Sequence, residues 1–423
     1  MKIFEPKLFT CFKGYTKRDL LSDIVAGIIV AIIALPLSIA LALASGVKAE
    51  QGLFTAIFAG FVIAMFGGSK VNISGPTAAF ATIVAGIYAD KGMEGLVLAT
   101  IMAGIILILM GVLKLGTLIK FIPKTITVGF TAGIAVTILV GQIKDFLGLT
   151  YPSGAENIET IDKVVNIFKN ITTINWLALA VGAGSLAIMI VWSKFIKKIP
   201  SSLIVVLIGA LCIGLTGVPV NTIGDVSPIT SAVPKFTLPS IDGKLILSVI
   251  PNAFTIALLA GIESLLSCVV SDNMIGDTHN PNTELIAQGL GNICSGFFGG
   301  IPATGAIART SANVKNGGKT PVAGMVHAVV LLIVLLLLMP YASLIPMPII
   351  ASILFIVAYN MSEWRSIVKI CKTKNVVDII ILSLTFTLTV VFNLVIAIAV
   401  GLVLHYAIFF ALKYANRKKQ KAE

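Results

Sequence analysis

Stretches of apolar residues recur along the chain from near residue 23 to near residue 412, and charged residues, glycine or proline separate each stretch from the next. A helix that crosses a bilayer needs about 20 mostly apolar residues, so the pattern predicts about fourteen membrane segments, some of them short. The first series is expected at 23–44, 52–66, 73–89, 93–113, 125–143, 174–193 and 201–217. The second series is expected at 245–270, 283–298, 302–314, 321–339, 346–361, 376–392 and 394–413.

The composition supports an all-α polytopic membrane protein. Hydrophobic residues make up 57% of the 423, charged residues only 12%, and the mean hydropathy is +1.02. The first apolar stretch begins too far from the N-terminus, and has the wrong flanks, for a cleaved signal peptide. In a soluble protein the net charge of +12 would favour a nucleic-acid partner. Here the basic residues cluster between spans, so we expect the protein to lie in a lipid bilayer and to have no nucleic-acid partner.

Cysteine spacing excludes two other classes of site. The five cysteines are scattered, without a Cys-x-x-Cys pair or neighbouring histidines, so neither a metal site nor a disulfide framework is predicted. The sequence also lacks a nucleophile–base constellation, so we expect no enzyme and no cofactor.

The basic residues predict the orientation of the bundle. With the N-terminus in the cytoplasm, the lysine-rich loops fall on the cytoplasmic side, as the positive-inside rule requires. These loops and the tail carry Lys70, Lys114, Lys120, Lys124, Lys194, Lys197, Lys198, Lys315, Lys319, Arg365, Lys369, Lys372, Lys374, Lys413, Arg417, Lys418, Lys419 and Lys421. The predicted layout is a cytoplasmic segment 1–22, a first repeat 23–217, a second repeat 245–413 and a basic tail 414–423. Both termini are therefore expected in the cytoplasm.

Two of the predicted segments, the third and the tenth, share an interrupted pattern. Gly67-Gly68 precedes NISGPTAAF at 72–80, and Gly299-Gly300 precedes IPATGAIART at 301–310. Proline lacks an amide hydrogen and glycine lacks a side chain, so each segment is expected to begin extended and then form a half-helix.

An odd number of spans in each half gives the two halves opposite orientations in the membrane. The N-termini of the two half-helices are then expected to face each other near the bilayer midplane, where each contributes about half a positive charge. Broken helices at matching places in two halves are typical of a transporter's binding site. Exposed amides at helix N-termini favour a small anion. The alternative is that glycine and proline here only permit close helix packing.

Two charged residues fall within these spans. Glu263, in AGIESLLSC, is expected to face the protein interior, because a charge at the bilayer centre costs at least about 2.5 kcal/mol. The Glu263 carboxyl would bind a proton while the site is open to one side of the membrane and release it while the site is open to the other. Ser267, one turn further on, would line the same cavity. The alternative is a static salt bridge to Arg309. Arg309 itself would attract the anion, or would be an anchor that snorkels toward the cytoplasmic face.

Several motifs resemble the SulP (sulphate permease) family of anion transporters, relatives of the mammalian solute-carrier anion exchangers. They are ALPLSIALALASGV at 34–47, GLFTAI at 52–57, GGSKVNISGPTAAF at 67–80, AGIESLLSCVVSD at 260–272, HNPNTELIAQGLGN at 279–292, the GGIPATGAIART block with NGGKTPVAG at 299–324, and YNMSEW at 359–364. The resemblance covers nearly the whole chain.

The resemblance implies a seven-plus-seven inverted repeat. Spans one to four and eight to eleven would form a core domain, and spans five to seven and twelve to fourteen a gate domain. Substrate would bind between the third and tenth segments, and the core would move as an elevator against the gate. The acidic position of the eighth span falls on Glu263, as in proton-coupled members, and the arginine of the tenth segment falls on Arg309.

Two features depart from the common pattern of that family. Many sulphate and exchanger members have glutamine after the first-span proline, where this chain has Leu37. The LPL form is more similar to a bacterial branch that includes C4-dicarboxylate carriers. Family members usually end in a cytoplasmic regulatory STAS domain, and none is expected in this chain, which stops at Glu423.

We therefore expect a bacterial inner-membrane secondary transporter for a small anion (sulphate, bicarbonate or a C4-dicarboxylate), coupled to a proton, with homodimerisation left open. The predicted substrate site comprises Ser74, Gly75, Pro76, Thr77, Ala78, Ala79, Ala303, Thr304, Gly305, Ala306, Ile307 and Arg309, with Pro36 and Ser38 of a proline-interrupted first span. The backbone amides of 77–79 and 305–307 are predicted to hold the anion. Glu263 and Ser267 are predicted for proton coupling. The rival predictions are a passive anion channel and a nucleobase permease of the same architecture.

Overall fold

The computed structural model describes residues 4–12, 14–117, 123–152, 159–196, 200–227, 234–239, 242–392 and 396–408. Most of the described chain is helical, and its one sheet has two strands of two residues each. The predicted tail 414–423, the end of the last predicted span, and Lys120, Lys197 and Lys198 lie outside the described residues.

The first half of the chain forms long helices and one interrupted segment. In order, its elements are α1 (Lys7–Cys11), α2 (Lys17–Ala44), α3 (Ala49–Phe54), a π-helical turn (Thr55–Ala59), α4 (Gly60–Phe66), β1 (Ser74–Gly75), a 3₁₀ turn (Ala78–Phe80), α5 (Ala81–Val112), α6 (Lys124–Leu147), α7 (Thr160–Lys169), a second 3₁₀ turn (Ile171–Thr173), α8 (Trp176–Phe195), α9 (Ser201–Thr216) and α10 (Ile223–Val226).

The second half has the same general course. In order, its elements are α11 (Gly243–Ile275), α12 (Pro281–Phe297), β2 (Thr304–Gly305), α13 (Ile307–Lys315), α14 (Val322–Ala342), α15 (Met347–Met361), α16 (Trp364–Lys372), α17 (Val376–Val391) and α18 (Ile396–Ile408).

Local sequence signals explain where these helices begin and end. At the start of α2, the Thr16 hydroxyl accepts a hydrogen bond from the Asp19 amide, and the Asp19 carboxylate accepts one from the Thr16 amide. This reciprocal pair is a capping box. Helices α6 and α11 end at Gly148 and Gly276, which adopt left-handed conformations that glycine reaches without a Cβ penalty.

Pro36 lies inside α2, which stays helical from Lys17 to Ala44. The expected interruption of the first span at this proline is therefore wrong. Proline removes one intrahelical hydrogen bond. Pro36 is buried in the bundle, and a transmembrane helix tolerates such a residue where neighbouring helices cover the freed carbonyl.

Helix α5 contains the helical part of the third predicted segment, from Ala81, and the fourth predicted segment. Gly92 interrupts it with φ 64° and ψ −167°, values that are not helical and that favour glycine. The chain therefore kinks at Gly92, between the two predicted spans, and α5 consists of two helical parts that meet at this kink.

The helix lengths agree with a polytopic membrane protein. Within the described residues, eight helical stretches are long and apolar enough to cross a membrane, and α9, α17 and α18 are shorter apolar helices. Because one of the eight is the kinked stretch that holds two predicted spans, and because α12 and α13 supply two more short segments, the fourteen predicted segments can all be assigned to elements.

The helices pack as two groups. Helices α2 to α5 and α11 to α14 contact one another most extensively, with α12 and α11 on α5 and with α14 on α2 and α4. Helices α6, α8, α9, α15 and α17 form the second group, in which α15 and α17 pack on α6. These groups correspond to the predicted core and gate subdomains, and α2 supplies part of the contact between them through α15 and α9.

Small residues allow a close helix crossing in the core. A Cβ placed on Gly104 of α5 would lie 2.6 Å from the Gly289 carbonyl of α12, and one on Gly289 would lie 2.5 Å from the Gly104 carbonyl. The two backbones therefore touch at this pair, as small residues permit in membrane helix packing.

Candidate functional site

The two interrupted segments meet in the middle of the core group. Strands β1 and β2 pair antiparallel, with Ser74 opposite Gly305 and Gly75 opposite Thr304. After β1 the chain continues into the 3₁₀ turn and α5, and after β2 it continues into α13. Because the strands are antiparallel, the two helical parts leave the ladder in opposite directions, as expected for inverted halves.

Each helical part begins with backbone amides that precede its first hydrogen bond. The first bond of the 3₁₀ turn runs from the Phe80 amide to the Thr77 carbonyl (3.2 Å), and the first of α13 from the Thr310 amide to the Ala306 carbonyl (2.8 Å). The amides of Ala78 and Ala79 in one segment, and of Ile307 to Arg309 in the other, are therefore the groups that a helix start leaves without an intrahelical acceptor.

Two of the amides predicted to bind substrate have other partners. The Gly305 amide donates to Ser264 Oγ (2.9 Å) and the Ala306 amide donates to the Ile73 carbonyl (2.9 Å). These bonds fix β2 to α11 and to the segment that leads into β1. Among the three tenth-segment amides that are predicted to bind the anion, the amide of Ile307 therefore remains available, because the start of a helix leaves it without an intrahelical acceptor.

Arg309 is held inside the core group, with only 1% of its surface exposed. One of its Nη2 hydrogens is donated to the Pro76 carbonyl at the end of β1. A Cβ on Gly75 would overlap Arg309 Nη1, so the guanidinium lies directly against the β1 backbone. Within the described residues Nε and Nη1 have no hydrogen-bond partner. This burial contradicts the alternative of a snorkelling anchor.

Glu263 lies on α11 and faces the third segment. Its Oε2 accepts a hydrogen bond from Thr77 Oγ1 (3.0 Å). Both residues are partly exposed, unlike most of their neighbours. Among the described residues Glu263 has no ion pair, and the Arg309 guanidinium bonds to Pro76. The alternative of a static Glu263–Arg309 salt bridge is therefore wrong.

The predicted hydroxyl groups of Ser74 and Thr304 are buried and already hydrogen-bonded. Ser74 Oγ accepts from Gln288 Nε2 (2.9 Å), and Thr304 Oγ1 donates to the Ala260 carbonyl (2.9 Å). Ala303 exchanges two backbone hydrogen bonds with the side chain of Asn292. These contacts give the three predicted residues a role in holding the strands against α11 and α12.

Ser267 lies in a buried polar cluster away from Glu263. Its hydroxyl donates to Asn72 Oδ1 (2.8 Å) and contacts Thr310 Oγ1 (3.1 Å), and Thr310 also donates to Asn72 Oδ1 (2.9 Å). The described hydrogen bonds of Ser267 therefore connect α11 to both interrupted segments and do not reach the Glu263 carboxyl.

Pro36 and Ser38 are both buried in α2. A Cβ on Gly52 of α3 would overlap the Ser38 carbonyl, so α2 and α3 are in direct backbone contact at Ser38. Ser38 Oγ has no partner among the described residues.

Sequence reasoning missed a polar face on α12. Glu284, Gln288, Asn292 and Ser295 are all fully buried. Glu284 accepts hydrogen bonds from the Gly68 amide (2.9 Å), from Asn72 Nδ2 (2.8 Å) and from Gln288 Nε2 (3.0 Å). The signal was present in the spacing, because residues three and four apart share one helix face. These side chains position the segment that precedes β1.

The sequence as a whole matches the sulfate permease family over residues 20–385. The chain belongs to the sulfate permease family. It is 44% identical over 401 residues to "Putative sulfate transporter YvdB" of Bacillus subtilis, a match that covers 94% of this chain and 75% of that protein. It is 34% identical over 397 residues to "Bicarbonate transporter BicA" of Picosynechococcus, covering 91% of this chain and 69% of that protein.

Solved structures of sulfate permease relatives have the same fold. The transmembrane domain of a cyanobacterium bicarbonate transporter BicA superposes with a TM-score of 0.80 at 28% identity, covering 91% of this chain and 98% of that one. SLC26A9 superposes with a TM-score of 0.85 at 21% identity, covering 95% of this chain and 67% of that one. Because its sulfate permease relatives are named as transporters, this chain is a membrane transport protein and not an enzyme.

Proposed function

We propose that this sulfate permease homologue is a secondary transporter that carries bicarbonate or sulfate together with a proton across a bacterial inner membrane, with both chain termini in the cytoplasm. The observation that carries the proposal is the antiparallel β1–β2 ladder, which joins two half-helix N-termini and holds Arg309 against it. The names of the two most similar relatives described above indicate the same two anions.

The anion would bind at the accessible side of the ladder. Thr77 and Ala306 are partly exposed, and Ile307 is 41% exposed. Free amides at each half-helix start, together with about half a positive charge from each helix dipole, favour a small oxyanion. Arg309 adds a full positive charge behind the strand. Its guanidinium would act through the field at short range, because its described hydrogen bond goes to Pro76.

Glu263 would couple the anion to a proton. Its carboxyl shares Thr77 with the proposed anion site, so an anion bound beside Thr77 would lie close to the carboxyl. Two like charges at short separation in a poorly hydrated site repel each other. Anion binding would therefore favour the protonated carboxylic acid. Proton and anion would then cross together, with less net charge moved through the hydrocarbon region.

The packing supports an elevator-type movement. The strands, α11 and α13 all belong to the core group, so the proposed site would move as one unit relative to α6, α8, α9, α15 and α17. Contacts between the groups include those of α2 with α15 and α9. Movement of a whole domain past a fixed partner is an established way to alternate access.

Uptake by purified protein in proteoliposomes tests the proposal. Bicarbonate, sulfate, succinate and chloride are compared with and without an imposed pH difference. We expect accumulation of bicarbonate or sulfate above its equilibrium level only when the pH difference is present. Accumulation of succinate alone would replace the substrate assignment with a C4-dicarboxylate.

Two outcomes would favour the rival functions. Dissipation of a gradient without accumulation under any pH difference would indicate a passive channel. Inhibition of anion uptake by added uracil would indicate a nucleobase permease, because binding of uracil needs polar side chains that pair with a flat ring.

A further inference from the structure

A cavity of about 380 Å³ lies between the core and gate groups, far from the ladder. It is lined by the last residues of α2, by Ala85, Tyr88 and Ala89 of α5, by the end of α6, and by the start of α15. The N-terminal segment precedes α2, so this cavity lies at the opposite end of the molecule. With the predicted cytoplasmic N-terminus it opens to the outside.

The cavity has an excess of positive charge. Lys144, Asp145 and Lys163 line it together with the amide side chains of Gln142, Asn175 and Asn221. A Cβ on Gly141 would lie 3.8 Å from Lys163 Nζ, so the ammonium lies beside α6 at this position. Two lysines and one aspartate leave a formal net charge of one positive unit.

The two lysines are not equally available. Lys144 Nζ lies over the Tyr151 ring, 5.0 Å from its centroid. The ammonium of Lys163, on the amphipathic helix α7, has no hydrogen bond or ion pair among the described residues. Burial lowers the pKa of Lys163, because a partly desolvated ammonium lacks the water that would stabilise its charge. An anion beside it would supply the missing counter-charge.

Helix α5 links this cavity to the ladder. Its N-terminal end follows the 3₁₀ turn beside Thr77, and Tyr88 lies ten residues beyond Ala78 on a rise of about 1.5 Å per residue. The cavity is therefore roughly 15 Å outward of the proposed anion site along one helix. A cavity of this size holds on the order of ten water molecules, enough for a hydrated oxyanion.

We propose that this cavity is an external recruitment site at which the transported oxyanion binds Lys163 before the core group moves. The inference rests on the proposed transport function. Its recognition chemistry is a lysine ammonium with neighbouring amide side chains, without the half-helix amides of the ladder. It would raise the local anion concentration at the external face only, as charged clefts do for their substrates.

Sided transport kinetics of Lys163→Gln test the proposal. Sulfate and bicarbonate uptake are measured in right-side-out vesicles and in inside-out vesicles of the same preparation. We expect the external KM to rise about fivefold to tenfold at low ionic strength with the external kcat unchanged, and the internal KM to stay within about twofold of the parent. The internal kcat should fall by the factor by which the external KM rises, because a substitution cannot change the equilibrium that fixes the ratio of kcat/KM at the two faces. Added inert salt should reduce the difference in external KM between Lys163→Gln and the parent protein, because the salt screens the attraction of the lysine for the anion in the parent.

Charge variants give matched controls. Lys169→Gln removes a lysine from the exposed end of the same helix and should leave both KM values unchanged. Lys163→Arg keeps the charge and should keep the low external KM. Asp145→Asn removes the negative charge from the cavity and should lower the external KM.

The contradicting results are distinct. An unchanged external KM in Lys163→Gln would overturn the recruitment site while the transport function stands. An equal rise of KM at both faces would do the same. A parent protein that transports none of the tested anions would overturn the proposed function and this site with it.

Discussion

The third and tenth segments meet as one antiparallel ladder, but the threonine of each segment at this ladder has different surroundings. Thr77, just after β1, is partly exposed and bonds to the Glu263 carboxyl. Thr304, within β2, is fully buried and bonds to the Ala260 carbonyl and Ser264. The two segments therefore contribute similar backbone amides and different side-chain chemistry.

The asymmetry separates two tasks. The tenth segment supplies the fixed positive charge, because Arg309 reaches across to the β1 backbone. The third segment contacts the ionisable group of α11 through Thr77. Under the proposed function, the two segments keep the symmetric feature that an anion needs, two helix N-termini, while the tenth segment would supply the charge and the third segment would contact the proton-binding carboxyl.

Removing the charge of the tenth segment should have the largest effect. In Arg309→Ala the apparent affinity for bicarbonate or sulfate should fall by about tenfold to a hundredfold, since a positive charge about 4 Å from an anion attracts it by roughly 1–4 kcal/mol, depending on hydration. Radiolabelled uptake over a range of substrate concentrations measures this change. Lys315→Ala, at the exposed end of α13, is the matched control. Unaltered affinity in Arg309→Ala would remove the arginine from the anion site.

Neutralising the carboxyl beside the third segment should abolish proton coupling. In Glu263→Gln, uptake should lose its dependence on pH and on an imposed pH difference, while substrate binding persists, because glutamine still accepts the Thr77 hydrogen bond but cannot release a proton. Asp242→Asn at the start of α11 is the control, since asparagine caps a helix as well as aspartate does. Retained pH dependence in Glu263→Gln would assign coupling to another group.

Gly75→Ala should transmit a backbone change to the arginine. The new Cβ would overlap Arg309 Nη1, so the guanidinium must move away from β1. We expect uptake to fall about fivefold to tenfold. In Gly86→Ala of α5, where a Cβ meets nothing within 4 Å, uptake should stay at the parent level. Equal uptake by both variants would mean that the position of Arg309 is unimportant.

The two threonines should separate affinity from stability. Thr77→Val should raise the substrate KM about fivefold, because a lost hydrogen bond of about 1 kcal/mol corresponds to that factor. The variant should show little change in Tm. Thr304→Val should lower stability by about 1–3 kcal/mol because it leaves a buried acceptor unsatisfied, with little change in KM. Thermal unfolding in detergent and uptake kinetics measure the two quantities. The reverse pattern would contradict the difference between the segments.

Substitution in the loops that precede the strands should have the smallest effect, and this effect concerns the stability of the fold. The loop before β2 is tied by neutral hydrogen bonds, such as that from the Ile301 amide to Thr55 Oγ1 (2.7 Å). The loop before β1 carries an ion pair between Lys70 and Asp277, with Nζ and Oδ2 2.9 Å apart. The hydrogen bond to Asp277 raises the pKa of Lys70 above its ordinary 10.5.

This ion pair should stabilise the fold below pH 10.5, and the stabilisation should disappear as the pH rises through the higher pKa of folded Lys70. Since Lys70 is 37% exposed, its contribution should be below about 1 kcal/mol. The Tm difference between parent and Lys70→Gln, measured from neutral to strongly alkaline pH, checks this. A difference that grows with pH would have the wrong sign.

Much of the arrangement followed from sequence because hydrophobic length and broken helices are local properties. The spans, the extended starts of the third and tenth segments and the opposite orientation of their half-helices are predicted, and the described residues confirm this geometry. The pairing of the two extended starts as strands is seen only in the structure. The roles of individual hydroxyls were harder to predict. Ser74, Thr304 and Ser267 have the same local appearance as Thr77, but Gln288, Ala260 and Asn72 already bind them.

The sequence by itself determined that this chain crosses a membrane many times and that two small-residue segments cannot be continuous helices, because apolar run length and the backbone limits of glycine and proline need no tertiary partner. Only the tertiary structure decided that α2 continues through Pro36, that Arg309 bonds to Pro76, and which amides remain unpaired. Those outcomes depend on hydrogen-bond partners that lie far apart in the chain, and sequence spacing does not specify which distant donor meets which acceptor.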